Sequence, residues 1–312
     1  MRRGLIMIPY AYVEKFNSGV NIGNTTHQVE LYLRNSCVAA VSARVHCGES
    51  TDVAVVTNIT VPSPYNHLLT SAGVKILTFP FDEFNFGGEY AWSLAFYKLC
   101  ALSKAVSHLD YDYYACLDSD VYVQSSFDNI WQECDSHILL YDINHSLANA
   151  DYRRLLGEVE ALCADCKGVT HYGGEFYAAS ATASARFVEE CAGVYSEMTA
   201  RGFKTSQGDE FITAIAAHRL RGVVKNAGAY VCRYWTGTFR LVSSNYKHNP
   251  VVVLHCPAEK QSGMLALYNR YIRRGRIPSP AVAHRLLHLR FPSAVVILKI
   301  IVKKIFKTRI WN

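Results

Sequence analysis

The chain has 312 residues, of which 50% are hydrophobic, 12% aromatic and 19% charged. That is ample apolar material for one large core or two small ones, and it excludes disorder, low complexity and collagen-like repetition. The net charge of +6 hides a split: twelve of the 32 Lys and Arg lie in residues 260–312, which hold no Asp or Glu, so 20 basic groups face all 26 acidic ones in the first 259 residues.

The opening MRRGLIMIPY resembles a charged leader, but its apolar stretch breaks at Pro9, lacks a small-residue cleavage site and runs into Glu14 and Lys15. Residues 5–11 therefore read as a first strand. Val29, Leu33, Cys37, Ala40 and Val41 recur at helical spacing through 25–45, with Thr25 or Thr26 as a cap. DVAVVT (52–57) and VKILTF (74–79) read as buried strands, 89–108 as a long helix, and YDYYACLD (111–118) as another strand. Strand and helix alternating in this way predict an α/β fold with a largely parallel sheet, on which ligands gather at the carboxyl ends of strands. The second half holds the turn-rich HYGGEFYAAS, helical stretches near 181–200 and 208–220, and the strand VVVLH at 251–255.

Ten cysteines are scattered along a long chain, which favours reduced, buried thiols. Cys163 and Cys166 form a lone CxxC, a weak zinc signal because no second pair answers it. Asn-X-Ser/Thr triplets at Asn24, Asn58 and Asn144 matter only in an exported protein. No window approaches about 20 uninterrupted apolar residues, so no membrane-spanning helix is expected.

The strand ending at Leu117 leads directly into Asp118-Ser119-Asp120 and then Val121-Tyr122-Val123. Two carboxylates one residue apart, just past an apolar strand, can turn toward one ion, and such hard oxygen ligands suit Mg²⁺ or Mn²⁺, which can hold a diphosphate. The bare triplet also marks ordinary turns. With the stretch YKLCALSKAVSHLDYDYYACLDSDVYV (97–123) on the page, the chain resembles the DxD glycosyltransferases of the GT-A fold, in the group of glycogenin and the bacterial lipopolysaccharide galactosyl- and glucosyltransferases. The resemblance spans roughly residues 5–260 in a few short blocks. It implies a Rossmann-like GT-A sheet flanked by helices and a nucleotide-sugar donor whose diphosphate a Mn²⁺ or Mg²⁺ ion bridges to Asp118 and Asp120, with Ser119 beside it.

Further blocks extend the resemblance. His171-Tyr172-Gly173-Gly174-Glu175-Phe176 looks like the loop beneath the donor sugar, with Gly174 allowing close approach and Glu175 accepting from sugar hydroxyls; a tight turn into a strand is the plainer alternative. Gln207-Gly208-Asp209-Glu210 resembles the acidic helix start that faces the reacting sugar, where Asp209 or Glu210 could act as a base or stabilise positive charge, although Asp209 would also serve as an N-cap. His255, after VVVL, resembles the third metal ligand, and Lys260 a diphosphate contact. HCPAEK departs from the family, with no glycine between His and Lys and a spacing one residue short. Lys98 is a candidate donor contact, although helix lysines are commonly solvated. Tyr10, Ala11 and Tyr12 sit where the family holds the nucleobase, so an aromatic there could stack on uracil or simply pack.

The tail AVVILKIIVKKIFKTRIWN begins at Ala294. On a helical wheel Lys299, Lys303, Lys304 and Lys307 fall on one side, and Ile297, Leu298, Ile301, Val302 and Ile305 largely on the other. This is an interfacial-helix pattern, with Trp311 near the headgroups. Nucleic acid is disfavoured because phosphate contacts would not bury the isoleucines, whereas packing on the protein's own core would. The expected whole is a glycosyltransferase domain over 1–260 and a basic membrane-association segment over 261–312. It would transfer a hexose from a UDP-type sugar to a glycan or lipid-linked acceptor, with retention, at the cytoplasmic membrane surface. If Asp209 is a base for the acceptor, inversion follows. One rival reading is a haloacid-dehalogenase-like Mg²⁺ phosphatase, opposed by Tyr122 and by the strands preceding LDSDVY. The other is a non-catalytic membrane-binding protein whose DSD is only a turn.

Overall fold

The computed structural model describes residues 3–14, 16, 28–88, 90, 92–143, 145–236 and 251–289, together with 298 and 302. Its centre is a seven-stranded sheet in the order β3-β2-β1-β4-β7-β6-β8, formed by β1 (Gly4–Tyr10), β2 (Thr51–Thr57), β3 (Lys75–Thr78), β4 (Tyr113–Leu117), β6 (Ile138–Asp142), β7 (Tyr172–Ser180) and β8 (Val224–Asn226). Only β7 runs against the rest, pairing antiparallel with both β4 and β6.

The strands are continuous apolar runs because both faces of the sheet are covered. Along β1, Ile6 and Ile8 face a core shared with α1 (Gln28–His46), while Leu5 and Met7 face one shared with α3 (Tyr97–His108), α6 (Ala181–Ala200) and α7 (Asp209–Arg219). The helix expected from 89 begins instead at Tyr97, after a 3-10 turn at Ser93–Phe96. The segment before it is taken up by aromatic packing: Phe86 stacks on Tyr90 and meets Phe96 and Tyr195 edge-on. HYGGEFYAAS, read from the sequence either as a loop beneath the donor sugar or as a tight turn into a strand, is extended from Tyr172 and supplies the whole of β7.

A smaller sheet, β5-β10-β9, stands beside the first. Its strands are β5 (Val121–Val123), β9 (Val231–Arg233) and β10 (Val253–His255). The Val123 N–H donates to Ser42 Oγ of α1 over 3.0 Å, tying this sheet to the larger body. The core continues beyond residue 260: Met264, Leu267, Tyr268 and Tyr271 of α8 (Gly263–Arg274) and Ala283 of α9 (Pro280–Leu286) are buried in it. Between β2 and β3 in sequence lies α2 (Tyr65–Ser71), and between β4 and β7 lie α4 (Asp128–Cys134) and α5 (Ala150–Leu162). Cys163 and Cys166 are bonded to each other just past α5, and the other eight cysteines are free and mostly buried. Among the described residues no helix is long and apolar enough to cross a membrane. The tail from Ala294, except exposed Leu298 and Val302, lies outside the described residues, as do Thr25 and Thr26.

Candidate active site

The strand order reverses direction between β1 and β4: the chain leaves β1 toward β2 and β3 on one side, then crosses to β4 on the other. A crevice forms at such a switch point, outside the carboxyl ends of the strands. Tyr10 and Ala11 stand at the end of β1, and Asp118, Ser119 and Asp120 follow β4. These five line a cavity of about 110 Å³ together with Tyr32, Lys98 and Lys260. Tyr10 stacks on Tyr32 with ring centroids 5.2 Å apart. Tyr12 lies outside that lining and is 39% exposed. Its backbone is clamped by Asn58, which accepts from the Tyr12 N–H and donates to the Tyr12 carbonyl, each over 2.9 Å.

The register of the small sheet places the third expected ligand. β10 runs antiparallel to β5 with His255 opposite Val121, so the imidazole comes beside Asp120, and the Cys256 N–H donates to the Asp120 carbonyl over 3.0 Å. Asp118, Asp120 and His255 thereby offer ligand atoms that all lie within 4.8 Å of one another. His255 Nε2 stands 3.3 Å from Asp120 Oδ2 and 3.7 Å from Asp118 Oδ2. Asp120 Oδ2 is shut off from solvent and accepts no hydrogen bond, although Lys260 Nζ pairs with it at 3.3 Å. Two carboxylates and an imidazole converging on an under-coordinated buried oxygen fit a divalent cation of the Mn²⁺ or Mg²⁺ kind.

Opposite charges offset the burial of these groups. Burial pushes the Asp120 carboxyl up, but Lys260 and His255 overcome it and hold the group ionised, well below the usual carboxylate range. Burial alone would lower the His255 pKa, yet Asp120 and Glu175 raise it to about 9. Glu175 is completely buried. It accepts from Arg233 Nε over 2.6 Å and from Arg233 Nη2, and Oε1 lies 3.3 Å from His255 Nδ1. Against the effect of burial, His255 and Arg233 bring its pKa down to about 2. Expected beneath the donor sugar, Glu175 is completely buried behind the candidate ligand His255, the position from which a carboxylate can orient a metal-bound histidine.

Lys98 occupies the first turn of α3 and reaches into the centre of the cleft. Its Nζ lies 3.1 Å from Asp118 Oδ1 and 3.2 Å from Asp209 Oδ2, and donates to the Gly174 carbonyl over 2.8 Å. Burial disfavours its charge, but Asp118 and Asp209 more than compensate and keep it protonated. Gly174 is glycine because of this approach: a Cβ there would sit 2.3 Å from Lys98 Nζ and 2.9 Å from Asp209 Oδ2. Gly208 precedes α7 at φ +64°, and a Cβ there would meet the Trp92 side chain at 2.9 Å. With Gly208 as the cap residue, Asp209 is left to ion-pair with Lys98 and makes no cap. Burial, reinforced by Glu210 and Asp118 and opposed by Lys98, pushes the Asp209 pKa up to about 6. Glu210 Oε1 accepts from the Gly174 N–H over 3.2 Å, and Oε2 lies 2.8 Å from His171 Nε2.

Lys98, Asp118, His171, Gly174, Asp209, Glu210, His255 and Lys260 face a cleft of about 580 Å³, which Trp92, His145, Arg233 and Trp235 also line. Arg233, His145 and Trp235 are additions that sequence reading did not supply; Arg233 is a lone cation in an apolar strand, the one signal that marked it. The mostly parallel sheet, its flanking helices and the Asp-Asp-His group are compatible with a GT-A-like fold. Neither a protein-family model nor a curated protein matches the chain.

Proposed function

We propose that the chain is a metal-dependent glycosyltransferase that moves a hexose from a nucleotide sugar, of the UDP class, to a glycan or lipid-linked acceptor. The observation that carries this reading is the Asp118-Asp120-His255 group, with Lys260 beside it, at the switch point of the sheet. Asp118, Asp120 and His255 would hold the cation, which when bound supplies charge neutralisation to the departing diphosphate.

The chain's own residues do the rest. Lys260 presents a fixed positive charge to the same leaving group. Tyr10 and Tyr32 offer an aromatic wall to the nucleobase. Lys98, pinned by Asp118 and Asp209, sets the distance between the metal end and the sugar end of the cleft. Asp209 and Glu210, at the start of α7, place negative charge where an anomeric carbon becomes positive as its bond to the diphosphate breaks. Retention is the stereochemical outcome proposed. The tail beyond Ala294 is proposed to hold the enzyme at an anionic membrane surface, where a lipid-linked acceptor would present itself.

The test is a thermal-shift panel of UDP-sugars with and without Mn²⁺. Donor that binds only the folded state raises the melting temperature by mass action. A Mn²⁺-dependent shift with UDP-sugars supports the reading. Phosphate release from a simple ester, with no response to UDP, refutes it.

A further inference from the structure

Away from the cleft, a second cavity of about 370 Å³ opens where the end of α1 meets the end of α8, and Arg270, Arg274 and Arg276 line it with His46. Arg270 and Arg274 stand four residues apart on α8 and so share a face. Gly275 ends the helix at φ +64°, its N–H donating to the Tyr271 carbonyl over 2.8 Å, and beyond this left-handed turn Arg276 lines the same cavity. No acidic residue lines the cavity, and residues 260–312 hold no Asp or Glu. Among the described residues, no ion pair or hydrogen bond engages the three guanidinium groups.

The plain use of arginine near a helix end is to serve its last carbonyls. Here other arginines do that: Arg273 Nε donates to the Asn269 carbonyl of α8, and Arg44 Nη1 to the Cys47 carbonyl just past α1, each over 3.2 Å. Guanidinium groups keep their charge in proteins, so Arg270, Arg274 and Arg276 repel one another across the cavity. An anion seated among them turns that repulsion into attraction, and the planar fork of arginine matches phosphate bidentately. Burial lowers the His46 pKa, so at pH 7 the ring is neutral and the charge here belongs to the arginines. The rest of the wall is apolar. Val45 is 59% exposed at its edge, Ile277 and Val282 continue it, and Tyr122 Oη fixes it by donating to the Pro278 carbonyl over 2.5 Å. Inorganic phosphate would leave that wall facing water, whereas a phosphate ester carrying methylenes would cover it.

We propose that this cavity binds the phosphate of an anionic lipid, with Arg270, Arg274 and Arg276 around the phosphate and the lipid's first methylenes against the apolar wall. The site shares no residue with the donor cleft and does not depend on the reaction proposed there. One headgroup contact does not by itself hold a protein on a membrane, so the cavity adds phosphate selectivity to the attraction proposed for the basic tail.

The test is calorimetric titration of the full chain, without Mn²⁺ or nucleotide, using three soluble probes: dihexanoyl phosphatidic acid below its micelle concentration, glycerol 3-phosphate and inorganic phosphate. The lipid should bind at least about 10-fold more tightly than the other two, because each buried methylene adds several-fold to affinity. Arg274→Gln and Arg276→Gln should each weaken lipid binding by about 10-fold, the cost of one hydrogen bond to a charged group. The triple change of Arg270, Arg274 and Arg276 to Gln should abolish it. Arg273→Gln, whose native side chain is turned to the Asn269 carbonyl, should bind as the wild type does. Far-UV circular dichroism checks that the variants fold, and if the triple variant does not, the two single changes decide. Undiminished binding in both single variants, or a wild type that binds none of the probes, would overturn the proposal. Glycerol 3-phosphate binding as tightly as the lipid would overturn the lipid as the source of the phosphate. None of these failures touches the donor site.

Discussion

At the residue scale, the candidate site is built from charges that burial opposes and neighbours restore. Glu175 is the sharpest case, a fully buried carboxylate shared between Arg233 and His255. Glu175→Gln keeps the shape but weakens the acceptor that orients His255. Mn²⁺ affinity should fall by about 10- to 100-fold by calorimetric titration, and an unchanged affinity would separate Glu175 from the metal. Asp209 gives the pH prediction. Its pKa is about 6 in the folded protein against 3.8 for an ordinary aspartate, so its contribution to stability is present below 3.8 and is lost as pH rises through 6. Asp209→Asn should therefore be more stable than the wild type at pH 8, by on the order of 1 to 3 kcal/mol in urea unfolding, with the difference vanishing near pH 4. A variant less stable at pH 8 would mean that the Lys98 pair outweighs the burial of the charge.

At the element scale, β7 and the start of α7 carry the site. Gly174→Ala would drive a methyl group into Lys98 Nζ and Asp209 Oδ2. The ion pair would be pushed apart, destabilising the fold by about 1 to 3 kcal/mol, the usual cost of overpacking. Donor binding should weaken in parallel, whereas Gly157→Ala, inside α5 with nothing within 4 Å of its Cβ, should leave donor binding unchanged and raise stability by about 0.5 to 1 kcal/mol. What was legible in the sequence was local. β1, β2, β3 and β4 appear within a residue or two of the runs that announced them, because a buried parallel strand is written as consecutive apolar residues. Asp118 and Asp120 were legible because their spacing is itself the motif. Arg233 and His145 were not: each meets its partner, Glu175 or His171, 58 or 26 residues away in the sequence, through the folding of the chain. The true start of α3 was hidden because the aromatic residues before it pack in three dimensions rather than at a helical period.

At the scale of the whole molecule, an acidic body carries a basic C-terminal stretch, and this asymmetry predicts orientation at a surface. Deletion after Pro292 should abolish pelleting with anionic vesicles and spare donor hydrolysis; continued pelleting would refute the anchor. The topology gathers residues from five separate segments, spanning Tyr10 to Lys260, at one end of the sheet. The central claim is that Asp118, Asp120 and His255 grip a cation that grips a pyrophosphate. The most direct measurement is the thermal shift produced by UDP with Mn²⁺ in the wild type and in Asp120→Ala. We predict a rise in melting temperature that requires both ligands in the wild type and disappears in the variant. An equal Mn²⁺-dependent shift in the two proteins would contradict the account.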